Sequence, residues 1–471
     1  MRKHLSLCMC TSVALAMVSI SLEAGQREYR VAEKQEVGKV FSGTRIRPTL
    51  LTHAPMQYVA FYDENQQVTL AQRHLGKSEW TYRKLPLNAR WNNHVGIKGL
   101  IVDEEGFLHL SGNMHSAPLN YWRTTVPYNC PTLEVQGIHH IDTLEPVDHM
   151  VGELENRVTY ERFRHLPDGR LIFHYRHGGS GRGQEIYNIY DSETQTWQRF
   201  LEEPLISGGG RMNAYMRVPT KGPDGWYHMI WMWRNTSDVQ TNHSLSYARS
   251  RDLQHWETIT GEALPLPITP DKEATIIDPV PVKGGLHNNH HRFVFDREDR
   301  IVVTYFKHAE DGDTQAYAAH FEEDQWVIRQ ISDWEGRHIF KGRGAGPETF
   351  GTSLHLGHPI QYGEDKLALP YEHWKAGNGL LLMADETLEA VGTAPPLPPK
   401  FPLELLEPTI DFTHEDGSQM RVSWVEDLGS GTEDGRYVLR WESLGSNRDR
   451  PRSGDVPPPS ALMLYRLVEV E

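Results

Sequence analysis

The chain has 471 residues, and 10% of them are aromatic, which is too aromatic for a disordered or collagen-like polymer. With 48 Lys and Arg against 63 Asp and Glu, the formal charge is −15, and no dense basic run offsets it. That balance argues against a nucleic-acid binder, and no apolar stretch beyond the N-terminus is long enough for a membrane-spanning helix. An anionic ligand would need a local cluster of Arg and His acting against the global field.

In chain order, residues 1–24 read as an export signal. Arg2, Lys3 and His4 form a basic start, Leu5 to Ile20 a short apolar run, and Ala24 a cleavage position. The expected protein is secreted or periplasmic, with 25–471 as one catalytic domain. Removing the signal leaves Cys130 as the single cysteine, so internal packing and not a disulfide must hold the fold.

From there a unit recurs: an apolar strand, a tight turn with Asp and usually Gly, then a second apolar strand. The turns are centred on Asp103, Asp168, Asp224, Asp299, Asp365 and Asp434, at steps of 65, 56, 75, 66 and 69 residues. A seventh fits at Asp63. Asp-Gly between alternating apolar runs is a strong hairpin signal because the turn requires positive φ. No window shows a sustained helical stripe. Repeated hairpin units without helices predict an all-β fold, a seven-bladed β-propeller with long inter-strand loops. A β-sandwich pair or a β-helix is the competing architecture. The Pro-rich stretches at 394–402 and 451–459 read as loops within the one domain.

Chemistry-bearing residues concentrate between Trp91 and Arg182. Trp91-Asn92-Asn93-His94 precedes one strand and Gly112-Asn113-Met114-His115 ends the next. Thr159-Tyr160 follows, and then Tyr175-Arg176-His177-Gly178-Gly179-Ser180-Gly181. A lone His at a strand end is ordinarily a hydrogen-bonded structural residue. Here His, His, Tyr and Arg all fall at strand ends beside polar or Gly-rich loops.

This run resembles the BNR-repeat propellers that include the ulvan lyases of polysaccharide lyase families 24 and 25. The resemblance continues through Asn213-Ala214-Tyr215, Trp231-Met232-Trp233-Arg234 and Thr241-Asn242-His243, and spans roughly residues 52–346. It implies β-elimination on a uronate-containing polysaccharide. Its catalytic His corresponds to His94, its second site His to His115, its catalytic Tyr to Tyr160 and its carboxylate-neutralising Arg to Arg176. Asn93, His115, Ser180, Tyr215 and Arg234 are expected to bind substrate. Relatives often carry a Cys between positions 233 and 242, where this chain has Val239, which puts a zinc site of that design in doubt.

The side chains suit that chemistry on their own terms. Elimination removes the C5 proton of a uronate and expels the oxygen on C4. A guanidinium fork on the carboxylate stabilises the enolate-like charge, and His and Tyr can serve as base or acid. No cofactor is required. His243, with Asp238 nearby, is a candidate ligand for a structural metal ion, zinc or calcium. The expected partner is an anionic uronate-containing polysaccharide, with no nucleic acid and no membrane, and the expected state is a monomer. Two other readings stand: a propeller glycoside hydrolase of rhamnosidase type, motivated by Ser250-Arg251-Asp252-Leu253-Gln254-His255-Trp256, and a non-catalytic carbohydrate-binding propeller.

Overall fold

The computed structural model describes residues 29–89, 96–340, 352–429, 435–447 and 452–470. The described residues form an all-β fold of seven antiparallel sheets, six of which follow one another along the chain over residues 49–88, 97–147, 158–199, 213–278, 292–330 and 354–394. The seventh joins both ends of the chain. Met420–Glu426, Arg436–Leu444 and Ser460–Glu469 pair in order, and Tyr29–Val40 adds the outer strand beside Ser460–Glu469.

Strand alternation explains how the sheets stack. Successive side chains point to opposite faces, so a strand between two neighbours must be apolar on both. Leu50 and Val59 pack back against Val37, Trp441 and Leu462 of the seventh sheet, while Leu51 and Tyr58 pack forward against Leu100, Leu110 and Trp122. The same division repeats further on: Tyr121 with Val158, Phe173 and Tyr175, then Ile172 and Tyr187 with Met229 and Trp231. Ile230 and Tyr247 meet Val303 and Tyr305, and Val302 and Phe306 meet Leu367 and Leu381. The core is therefore distributed as layers between consecutive sheets. This is a propeller-like arrangement.

The Asp turns fall where the spacing predicts, with one shift. Asp103, Asp168, Asp224, Asp299 and Asp365 each lie in the link between the first strands of a sheet, and Asp434 lies outside the described residues. Asp63, however, links the second and third strands of its sheet; the equivalent link there is the short one between Thr49–His53 and Met56–Tyr62. Two of the Asp residues also brace their sheets. The His109 ring bridges Asp103 (3.0 Å) and the Tyr121 hydroxyl (2.7 Å), and His228 bridges Asp224 (3.0 Å) and the Tyr247 hydroxyl (2.8 Å). Units exceed an ordinary propeller repeat because of insertions. One holds a short helix, Pro131–Gln136, started by Pro at its first position and stopped by Gly137 in the left-handed region (φ 63°). No helix among the described residues is long and apolar enough to cross a membrane.

Buried histidines make stability depend on pH. His287, His290, His338 and His355 crowd together, with ring centroids 4.8 Å (287–290) and 5.2 Å (290–355) apart. Burial, reinforced by neighbouring rings, lowers His290 and His291 to about 3 and puts His287 well below its ordinary value. A depressed folded-state value means that the unfolded chain binds more protons below about pH 6.5, so stability present above that pH is lost as the pH falls. Each such ring should cost about 1–2 kcal/mol between roughly pH 6.5 and 5. Urea denaturation at the two pH values measures this, and His291→Leu should flatten the dependence.

Candidate active site

The site grows from a bulge. Val158–His165 pairs with Leu171–Gly179 in the register Thr159↔Arg176 and Arg162↔His174, so Tyr160 and Glu161 together face only Tyr175. Two residues opposite one is a β-bulge, which bends the strand and redirects its side chains. Tyr160 takes φ 62°, a left-handed conformation that costs a non-glycine residue about 1–2 kcal/mol. The strain sits on the residue that the sequence singles out for chemistry.

Arg176 is the other half of the site. It is 2% exposed, and its guanidinium lies 4.7 Å from the Tyr160 ring centroid. Its Nε and Nη1 are buried without a hydrogen-bond partner. Burial works against its charge, but Tyr160, Tyr215 and Glu185 hold the guanidinium above its ordinary value. Glu185 stands across the sheet from Arg176, and burial pushes it up to about 7, with Arg176 pulling the other way. Room for the arginine stem comes from Gly183, where a Cβ would lie 2.7 Å from Arg176 Cδ.

The remaining site residues converge from neighbouring elements. The Gly-rich hairpin tip leans on the next sheet: the Ser180 hydroxyl meets the Tyr215 hydroxyl at 2.6 Å, and the Gly181 N–H donates to Asn213. Gly181 (φ 78°) cannot carry a side chain, because a Cβ would fall 2.6 Å from the Thr236 backbone. The segment carrying His115 docks beside the bulge, where the Ser116 N–H donates to Thr159 Oγ1 (2.7 Å) and Arg157 Nε to Ser116 Oγ (3.3 Å). His115 itself is half-buried. Arg234 is 1% exposed, lies 4.8 Å from the Tyr215 ring centroid, and donates to the carbonyls of Asp238 (3.2 Å) and Ser237 (2.9 Å). His94 and Asn93 lie outside the described residues.

His243 is hydrogen-bonded at both nitrogens, to Ser244 Oγ (3.0 Å) and Asn235 Oδ1 (2.8 Å), and Asp238 accepts from the Gln240 N–H instead. Among the described residues no group of three His, Cys, Asp or Glu is placed to hold a metal. The segment 250–256 is a closed turn in which Asp252 accepts from the Gln254 and His255 N–H groups and Trp256 is buried. Sequence reasoning missed three charged residues. Lys98 stands 5.1 Å from the Tyr160 ring centroid, Glu161 is wholly buried beside it, and Glu185 faces Arg176. Glu161 directly follows Tyr160, and Lys98 lies four residues past His94, so proximity in sequence was the available signal.

The described residues thus form a propeller-like all-β scaffold that sets a buried cation against a strained tyrosine. More specifically, residues 56–334 match the profile of the BNR repeat-containing family, and the chain belongs to that family. It is similar to the long isoform of ulvan lyase from Glaciecola sp. (strain KUL10), 46% identical over 46 residues, covering 10% of this chain and 5% of that protein. The Alteromonas sp. (strain LOR) counterpart is 26% identical over 144 residues, 28% of this chain and 14% of that protein. The matches thus span a small fraction of those relatives' length. Among solved structures, the polysaccharide lyase Uly1 superposes with TM-score 0.57 at 12% identity, over 93% of this chain and 99% of that one. A PL25 ulvan lyase bound to -[GlcA(1-4)Rha3S]- gives 0.53 at 12% identity, over 92% and 95%. Those two likenesses establish the fold.

The fit of Arg176 over Gly183 is testable. Gly183→Ala should displace the arginine stem and destabilise the protein by about 1–3 kcal/mol, the usual cost of overpacking. Thermal denaturation reads the loss, and Gly445→Ala, where a Cβ meets nothing within 4 Å, serves as a control for substitution at a glycine.

Proposed function

We propose that the protein is a secreted polysaccharide lyase built on a seven-bladed β-propeller, cleaving a rhamnose-(1→4)-uronate linkage, as in ulvan, by β-elimination. The observation that carries this reading is Arg176: a buried guanidinium whose Nε and Nη1 have no hydrogen-bond partner, set against Tyr160. Leaving such groups unpaired is costly, and a substrate carboxylate would give this buried guanidinium a charged acceptor. The named relatives support the same reading, because ulvan lyases are what the matched segments resemble.

In this reading a uronate carboxylate docks on Arg176, which stabilises the enolate-like charge as the C5 proton leaves. The electrons of the C5–H bond form the C4–C5 double bond, the C4–O bond breaks, and the departing oxygen takes a proton. His94 is assigned as the base, because imidazole is the side chain whose ordinary pKa lies nearest neutrality, and Tyr160 as the acid, with His115 orienting the sugar. Ser180 and Tyr215, joined hydroxyl to hydroxyl, line the substrate side of the hairpin tip. The reaction draws on no metal. His243 stays a hydrogen-bonding residue in this account, residues 1–24 direct export, and the mature chain acts as a monomer on an anionic polymer.

Hydrolysis would need two carboxylates reaching the scissile bond. Glu161 is 0% exposed, which disfavours it as one of them.

The test is formation of an unsaturated uronate, followed by its ultraviolet absorbance, on ulvan and on rhamnosyl-glucuronate oligosaccharides. Reducing ends without that absorbance would mean hydrolysis, and binding without either product a lectin. Arg176→Lys keeps the charge but loses the fork, and should lower kcat/KM by about 100-fold or more. Near-normal turnover in that variant removes Arg176 from the role. Tyr160→Phe and His94→Ala should each abolish product with the fold intact by circular dichroism. A substrate with a good C4 leaving group should partly rescue the Tyr160 variant, and rescue of the His94 variant instead would reverse the acid and base.

A further inference from the structure

Two cations, not one, stand against Tyr160. Arg176 comes from the same sheet at 4.7 Å from the ring centroid, and Lys98 comes from Ile97–Val102 of the preceding sheet at 5.1 Å. The surroundings do not favour an ammonium at that position. Burial and the charges of Arg162, Arg47 and Arg176 all lower Lys98, and Glu161 alone raises it. Glu161 is unusual in turn. It occupies the bulge next to Tyr160, is 0% exposed, and neither carboxylate oxygen has a hydrogen-bond partner. The charges on it are Lys98 and Arg162, and Tyr62 also feels its field. A carboxylate buried in this way is costly, and a glutamine or an apolar residue of similar volume would pack there at less expense.

We propose that Lys98 is a positioning residue for Tyr160: its ammonium stands against the phenol ring as a second cation beside Arg176, and the buried Glu161 carboxylate is the countercharge that keeps it there. The inference rests on the reading of Tyr160 as a group that gives up and recovers a proton. Transferring that proton to the leaving oxygen leaves a phenolate, and two neighbouring cations offset its charge in a site from which water is largely excluded. Lys98 thereby acts through Tyr160, and it is not assigned a contact with the sugar.

Lys98→Met keeps the stem and removes the charge. It should lower kcat by about 10- to 100-fold while KM stays within about twofold, and Lys98→Arg should restore most of the rate. Glu161→Gln should lower kcat in the same way, and combining it with Lys98→Met should add little, since both act through one ammonium. A readout independent of turnover is carbon NMR of ring-labelled tyrosine, with the Tyr160 signal assigned by Tyr160→Phe. That signal should titrate at higher pH in the Lys98→Met protein than in the wild type. An unmoved titration, multiplying losses in the double variant, or a rise in KM alone would overturn the proposal. If the wild type forms no unsaturated product on any uronate polymer, the functional reading fails, while the NMR comparison still decides the role of Lys98.

Discussion

A guanidinium taken out of water must be compensated locally, and the geometry around Arg176 follows from that requirement. Its position in mid-strand sets the charge under a roof of packed β-structure, where it is 2% exposed. Gly183 vacates the space for its stem, Glu185 supplies an opposing charge across the ladder, the ring of Tyr160 presents an electron-rich partner, and the Tyr215 hydroxyl favours the charge. These neighbours reduce the cost without using every N–H of the fork. A surface arginine would have water for that purpose and would bind an anion weakly. The same group in a low-dielectric setting attracts one strongly.

Holding such a cluster together depends on stiff elements. Tyr160 and Arg176 lie on neighbouring strands of one sheet, and Lys98 reaches them from the sheet before. The apolar layer of Tyr121, Val158, Phe173 and Tyr175 fixes the spacing between these two sheets. Ser180 and Tyr215 span the following boundary in the same manner. The site is thus assembled across three consecutive sheets, and the left-handed backbone at Tyr160 is tolerated because packing on both faces determines its surroundings.

Much of this was legible in the amino-acid sequence. The Asp turns announced the hairpins because Asp and Gly suit a reversal with positive φ, and their spacing implied a repeated unit. Tyr160 and Arg176 stood out as polar residues within one short stretch, Ser180 and Tyr215 through the family resemblance, and the structure brings the four together. Other features were not legible, for physical reasons. Asp63 marks a different hairpin from its counterparts, because the turn chemistry of a first and a second link is the same. Arg234 reads in sequence like Arg176, yet its Nε and Nη2 donate to carbonyls of its own loop while Nε and Nη1 of Arg176 have no partner, and only tertiary structure shows that difference. A buried Glu161 cannot be foreseen from a pattern in which glutamates are normally solvated. The bulge that buries it depends on a register shift that the sequence does not display.

The seventh sheet draws its outer strand from the start of the described chain and its other three from the end, with Tyr29 opposite Glu469 and Val40 opposite Ser460. During synthesis the first strand therefore waits for its partner through more than four hundred intervening residues. Its exposed hydrogen-bonding edge has to be shielded in the meantime, whether by a chaperone or by staying unstructured. The final sheet is then a latch rather than a nucleus, since a contact of such long range carries the largest loop-closure cost and forms late. A latch of this kind delays compaction until the C-terminal strand is present.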